Sequence, residues 1–272
     1  MFSLELRCGS DEAETLSFQL WEAGTVAISQ FDEGEVCILT AGFEDDASRA
    51  SLLHRFAAYA PEWSEDLTDW LAVTRKAWPG RKIGKLFYVA PPWSGDPTPA
   101  GRHRLIQNPG QASGTGEHPC TQLALQALET AVFAGCKLLD VGTGSGILAI
   151  AGLKLGAAIA VGVDPDGCAF ETASENFHLN KLPPVLAVGS ADCITDAWAD
   201  VTVANISATV LLATADDLLR VTAPHGVLIL TGFPRSEAPA LMEFLPDAEL
   251  TCLEDWACLS AKLSSSASLP VP

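Results

Sequence analysis

Residues Asp140-Val-Gly-Thr-Gly-Ser-Gly146 set a carboxylate ahead of three glycines spaced two apart. An apolar, strand-like stretch, Cys136-Lys-Leu-Leu-Asp140-Val141, leads into them, and a helical run over 147–154 follows. Glycine adopts backbone conformations closed to other residues, so such a turn brings bare main chain to a ligand at a helix N-terminus. A loop that grips a dinucleotide pyrophosphate carries its third glycine one place later, where Ile147 stands. The spacing here suits a smaller nucleoside cofactor such as S-adenosylmethionine, with Gly142 and Gly144 against it. Taken alone, the glycines also fit a plain tight turn.

Four further residues could complete such a site. Asp164 closes the next strand candidate, Ala-Val-Gly-Val-Asp164, where an acid can accept hydrogen bonds from both ribose hydroxyls. It can also cap a helix starting near Pro165. Asp192, in Gly-Ser-Ala-Asp192-Cys, is placed to reach an adenine edge, and an Asx-type turn explains it equally. Asn205 ends an apolar strand, Val-Thr-Val-Ala-Asn205. Its amide carbonyl can accept a hydrogen bond from a substrate amine, which makes it the candidate catalytic residue, and a plain turn at the strand's end is the alternative. Upstream, a second glycine-rich turn, Gly110-Gln-Ala-Ser-Gly-Thr-Gly-Glu-His118-Pro-Cys-Thr121, runs into a helix. Thr121 there offers a hydroxyl and an N–H to a carboxylate such as the methionine end of the cofactor. His118 is a candidate general base or, beside Pro119, a structural histidine.

Strands and helices alternate from about residue 111. Strands are expected at Lys137–Val141, Ala158–Val163, Val185–Val188, Val201–Asn205 and Gly226–Thr231. Helices are expected at Cys120–Val132, Ile147–Leu155, Gly167–Asn180 and Ser207–Val221. That pattern implies an α/β doubly wound parallel sheet, whose ligands sit beyond the C-terminal strand ends. Residues 1–74 read β-α-β-β-α, with a closing strand expected near Leu67–Thr74, Gly24 capping a helix and Gly34 in a hairpin. This is the order of a small ferredoxin-like α+β domain. Residues 75–110, rich in Pro, Gly and Trp, read as a linker with some strand character around Lys85–Val89. Residues 111–263 form the larger domain, and 264–272 a disordered tail.

The net charge of −18 is uneven: residues 1–74 hold 15 acids against 3 bases, residues 75–104 hold 1 against 7, and residues 105–272 hold 18 against 6. Such a surface repels nucleic acid overall and would attract a basic protein partner, or the acidic charge serves only to keep the protein soluble. The basic 75–104 stretch either balances its acidic flanks or touches a phosphate-bearing partner. Eight scattered cysteines, with no C-x-x-C pair and no clustered His, fit reduced thiols in a cytoplasm and no metal site. No apolar run reaches the roughly 18 residues of a membrane helix, and the first residues lack the pattern of a signal peptide.

Together, Gly114-Thr-Gly-Glu-His-Pro-Cys-Thr121, the run from Asp140 to Ala151, Lys154-Leu-Gly-Ala157, Gly162-Val-Asp164 and Val203-Ala-Asn-Ile206 closely resemble the PrmA family, S-adenosylmethionine-dependent methyltransferases of ribosomal protein L11. Asp255-Trp256 looks like the family's closing strand. The resemblance implies a class I (Rossmann-like) methyltransferase domain behind an acidic substrate-recognition domain. It places cofactor positions on Thr121, Gly142, Asp164 and Asn205, and lysine or N-terminal amines of a basic ribosomal protein as methyl acceptors. Ser113, Glu117 and Ser207 depart from the family's usual residues. The competing readings are a methyltransferase for another basic protein and a cofactor-binding homologue without activity.

Overall fold

The structure, a computed structural model, describes residues 2–9, 12–33, 36–65, 79–108 and 116–264. The chain divides into two compact units, Met1–Thr74 and Arg75–Pro272.

In the first unit β1 (Phe2–Gly9), β2 (Ala27–Glu33), β3 (Val36–Phe43) and β4 (Glu62–Glu65) form an antiparallel sheet in the order β2-β3-β1-β4. Helices α1 (Ala13–Glu22) and α2 (Arg49–Arg55) lie in the connections, which is the ferredoxin-like arrangement. Alternation drives it: Leu4 and Leu6 of β1 and Leu39, Ala41 and Phe43 of β3 bury against Leu16, Leu20, Leu52 and Phe56. Gly24, at φ +86, follows α1, and the Thr25 N–H reaches back to the Leu20 carbonyl at 3.3 Å. The strand that pairs with β1 is Glu62–Glu65, ahead of the expected Leu67–Thr74, which, like Gly34, lies outside the described residues. Its one apolar residue, Trp63, stacks on Phe2 and Phe43 at 6.0 and 5.4 Å. A strand held by a single aromatic shows no alternation in sequence.

The stretch expected to be a linker is folded into the second unit. Strands β5 (Arg81–Ile83), β6 (Phe87–Ala90) and β7 (His103–Ile106) form a small sheet, with β6 antiparallel to β5 and parallel to β7. Its prolines and glycines mark turns, and long-range hydrogen bonds supply the order. The Arg102 guanidinium donates to the carbonyls of Ile83, Gly84 and Phe87 at 3.3, 3.0 and 2.7 Å. The Glu129 carboxylate, on α3 (Pro119–Ala131), accepts from the Lys85 and Leu86 N–H groups at 2.9 and 2.7 Å. Arg104 binds the Asp96 and Ser94 carbonyls, and Arg81 pairs with Glu117. Three of the segment's cations therefore serve the fold itself.

The main sheet comprises β8 (Lys137–Val141), β9 (Ile159–Asp164), β10 (Leu186–Val188), β11 (Ala199–Asn205), β12 (Thr222–Pro234), β13 (Glu249–Leu253) and β14 (Trp256–Lys262). Their order is β10-β9-β8-β11-β12-β14-β13, parallel from β10 to β12, with β14 antiparallel to both neighbours. Successive strand residues serve opposite faces. Leu138, Val203 and Ile229 meet Leu123 and Leu128 of α3, Ile150 of α4 (Ile147–Leu155) and Phe177 of α5 (Cys168–Leu179). Leu139, Leu228 and Leu230 meet Leu211 of α6 (Ala208–Ala213), Leu218 of α7 (Ala215–Val221) and Leu241 of α8 (Ala238–Phe244). The single helix expected over Ser207–Val221 divides at Thr214, whose hydroxyl donates to the Val210 carbonyl at 2.8 Å. Asp255 lies in the turn before β14, so the closing strand begins at Trp256. The expected tail lies, from residue 265, outside the described residues. No helix among the described residues is long and apolar enough to cross a membrane.

Replacing Arg102 with Ala strips three carbonyls of a charged donor, a loss of about 1.5–3 kcal/mol. Hydrogen exchange should accelerate in β5–β7 while β8, β9 and β11 keep their protection; uniform protection throughout would contradict this account of the segment.

Candidate active site

Chain reversal at β8 brings its neighbours β9 and β11 to opposite sides, and the glycine turn leaves the sheet at that switch point. Gly142, Gly144 and Gly146 all have positive φ, at 72°, 50° and 78°. The N–H groups of Gly142 and Thr143 both donate to the Val163 carbonyl, at 2.8 and 3.0 Å, which ties the turn to the end of β9. A Cβ on Gly142 would strike the Ile206 side chain, and one on Gly232 would strike the Ile206 backbone. Ile206 therefore fits only because both positions are bare, and Asn205 precedes it directly.

Asp164 is gripped from two directions. One carboxylate oxygen accepts the Gly144 N–H at 2.9 Å and the other the Asp166 N–H at 2.9 Å. Each oxygen keeps a second lone-pair direction for an incoming hydroxyl. The capping alternative takes a different form here: α5 begins at Cys168, and Asp164 closes an Asx-type turn with Asp166.

Asn205 and Thr121, far apart in sequence, meet: the Asn205 Nδ2 donates to the Thr121 Oγ1 at 3.3 Å. That contact leaves the Asn205 carbonyl oxygen as its available acceptor. His118 is the N-cap of α3, its Nδ1 accepting the Cys120 N–H at 3.3 Å, and its ring packs edge-on against Trp256 at 4.4 Å. This is the structural role, and it occupies the nitrogen a base would use.

Asp192 stands exposed on a short 3₁₀ turn after β10 and accepts the Ser190 N–H at 3.3 Å, the Asx-type arrangement. Arg220 fixes this turn. Its guanidinium donates to the Ala191 and Ile194 carbonyls at 3.1 and 2.8 Å while held by Asp217 and Asp196. Local sequence patterns gave no sign of Arg220's hold on the Ala191 and Ile194 carbonyls or of Gly232's fit to Ile206, because these partners lie 26 to 29 residues away.

Asp140 is the strongest electrostatic feature. It is fully buried, its Oδ2 accepts from the Thr143 hydroxyl and the Ala149 N–H at 2.8 and 3.1 Å, and its Oδ1 has no partner. Burial pushes its carboxyl up to about 7. Burial likewise raises the thiols of Cys120, Cys136 and Cys258, the last to about 12, so none of these three offers a thiolate at neutral pH.

The doubly wound sheet, with its antiparallel strand inserted near one edge and its glycine turn at the switch point, is the class I (Rossmann-like) methyltransferase fold. The chain belongs to the PrmA family: the family model described as ribosomal protein L11 methyltransferase (PrmA) matches residues 46–264. Among its relatives, the ribosomal protein L11 methyltransferase of Bacillus cytotoxicus is 34% identical over 72% of this chain and 66% of its own length. That of Anoxybacillus flavithermus is 37% identical over 71% and 65%. The chain thus spans just under two thirds of these relatives. The solved ribosomal protein L11 methylase of Lactobacillus delbrueckii subsp. bulgaricus, 28% identical, superposes with a TM-score of 0.63 over 68% of this chain and 100% of that one. A T. thermophilus 16S rRNA methyltransferase, 18% identical, shares the fold at a TM-score of 0.56 over 96% of this chain and 64% of that one.

The buried acid makes stability depend on pH. Between about 4 and about 7 the unfolded chain ionises Asp140 while the native state retains the proton, so stability falls as pH rises across that window. The full excursion is on the order of 4 kcal/mol. Asp140→Asn mimics the protonated acid and should flatten this slope in denaturant titrations of the cofactor-free protein; an unaltered slope would place the titration elsewhere.

Proposed function

We propose that this chain is a methyltransferase that uses S-adenosylmethionine to methylate lysine side-chain or N-terminal amines of ribosomal protein L11. The observation that carries the reading is the pairing of Asn205 with Thr121 beside the turn that Gly142, Gly144 and Asp164 tie together. Family membership supplies the substrate class.

The residues present fit the cofactor. Positive φ at Gly142 and Gly144 shapes the turn, the two oxygens of Asp164 can accept ribose hydroxyls, and Thr121 stands in the first turn of α3 for a carboxylate. Asp192 is assigned to the adenine side. S-adenosylmethionine supplies an already activated methyl on a sulfonium, so the chain's task is alignment. Asn205 performs it: with Nδ2 held by Thr121, its carbonyl oxygen accepts an amine N–H and aims the nitrogen lone pair. A lysine must first become neutral, at roughly 4–5 kcal/mol at pH 7. Asn205 cannot take that proton and the Nδ1 of His118 is committed to its cap, so the proton leaves to water. We assign residues 1–74, with their 15 acids against 3 bases, to collecting the basic substrate in the cytoplasm.

The direct test incubates the protein with labelled S-adenosylmethionine and large-subunit ribosomal proteins and locates the label by mass spectrometry. Methyl groups confined to amines of L11 are expected; label on another protein, or none, overturns the reading. Asn205→Ala should lower kcat on the order of 10²-fold with little change in cofactor Kd. Asp164→Ala should instead raise that Kd about 10- to 100-fold by calorimetry. A reversed pattern would exchange the two roles.

A further inference from the structure

The glycine turn is held along its length by separate groups. Val163 accepts the Gly142 and Thr143 N–H groups, Asp164 that of Gly144, and Asp140 the Thr143 hydroxyl. The peptide between Ser145 and Gly146 is held from α5: the Asn176 Nδ2 donates to the Ser145 carbonyl at 3.0 Å. Helix α5 comes this near because Gly146 is bare, since a Cβ there would lie 3.1 Å from Phe177 and 3.3 Å from Ala173. Asn176 is wholly buried, and its Oδ1 accepts the Asn108 N–H at 2.9 Å. One amide thus joins the turn to the chain leaving β7. Asn180, at the end of α5, anchors that same exit through the Ile106 N–H and carbonyl, at 2.9 and 2.7 Å. Its amide reaches Ile106 and the Asn176 carbonyl, whereas that of Asn176 reaches the turn itself.

The need for such a hold follows from the glycines. Gly144 and Gly146, at φ 50° and 78°, flank Ser145, and a chain so built has several backbone states of similar energy. Rotating ψ at Ser145 against φ at Gly146 turns their shared peptide over at little steric cost. A carbonyl bonded to a rigid, buried amide resists that rotation. The Gly144 N–H, which Asp164 accepts, lies in the same stretch, so a turn that changes shape also loosens the carboxylate. A ligand that fits one shape of the turn loses affinity in proportion to the time spent in the others.

We propose that Asn176 is a positioning residue, which fixes the Ser145–Gly146 peptide and so keeps the turn in the shape that accepts the nucleoside cofactor. The inference rests on the cofactor reading of that turn. The probe is S-adenosylhomocysteine, titrated calorimetrically into the full chain. Asn176→Leu removes both side-chain bonds at similar volume and should raise Kd about tenfold. Asn180→Leu loosens the same exit of β7 and should lower the melting temperature with Kd unchanged. Asn176→Asp separates positioning from packing. A protonated carboxyl donates to the Ser145 carbonyl and accepts from Asn108 as the amide does, while an ionised one has no proton to give. Burial raises the pKa of the new carboxyl, so this variant should match wild type at about pH 5 and bind about tenfold more weakly at about pH 9. Asp140, Asp164, Glu175, His178 and Lys154 are common to both proteins, so the ratio of Kd values at each pH isolates the new group. A folded Asn176→Leu variant that binds as wild type does overturns the role, as does an equal loss in Asn180→Leu. If Asn176→Leu does not fold, Asn176→Asp decides, and a ratio independent of pH overturns the role. Should wild type bind S-adenosylhomocysteine yet methylate no L11, the protein-substrate reading fails while the Kd comparison still decides the role of Asn176.

Discussion

Ile206 occupies space that two missing side chains leave open, and the geometry of the active edge follows from that. Gly142 leaves β8 and Gly232 bends β12 out of register, each bare where a Cβ would collide with Ile206. Three adjacent strand ends, those of β8, β11 and β12, can then approach one another, and the Ile206 N–H bonds the Thr231 carbonyl at 3.0 Å. Asn205 is carried into place as the residue before Ile206. The glycine turn thus has a packing duty beside the ligand duty proposed for it, and substitution there would displace Ile206 and, with it, Asn205.

Charge is arranged to complement this frame. Asp164 is held by backbone N–H groups, an arrangement that suits an ionised acceptor, while Asp140, one strand away, is walled off until its proton is hard to remove. Burial first, and the neighbouring Asp164 to a smaller extent, keep the proton on Asp140. Arg220 adds the third element by tying the turn that bears Asp192 to α7, and Asp217 on α7 and Asp196 ahead of β11 in turn hold the guanidinium. The basic segment that stands out in the sequence resolves in the same way, since Arg81, Arg102 and Arg104 all find partners within the second unit.

Features with a local cause were legible in the chain. The apolar strands of the main sheet, the helix behind Gly146 and the β-α-β-β-α order of residues 1–74 each rest on periodicity or turn chemistry within a dozen residues. Features held by distant partners were not. Residues 75–110 read as a linker because they are rich in Pro, Gly, Trp and basic residues, whereas the order of 79–108 draws on Glu129, Asn176 and Asn180, all from later in the chain. Trp63 marks a strand only through Phe2 and Phe43. The positions of Asp164 and Asn205 at strand ends were legible, whereas the need for a bare Gly232 comes from Ile206, 26 residues earlier in the chain.

The Asn205–Thr121 contact limits what the site can do chemically. A primary amide has a donor end and an acceptor end, and Thr121 engages the donor. What remains can accept a hydrogen bond but cannot take up a proton, so in the proposed reaction Asn205 orients an amine without deprotonating it. His118, the nearest titratable ring on α3, spends its Nδ1 on capping that helix and its face on Trp256. An acceptor that must shed a proton to water before it reacts is favoured by surroundings that disfavour its charged form. Asp140, kept largely protonated below neutrality, adds less negative charge to stabilise an ammonium there than an ionised carboxylate would. Under the proposed function the buried acid and the committed histidine act in the same direction: the edge of the sheet aims a neutral amine, and proton removal is left to the solvent.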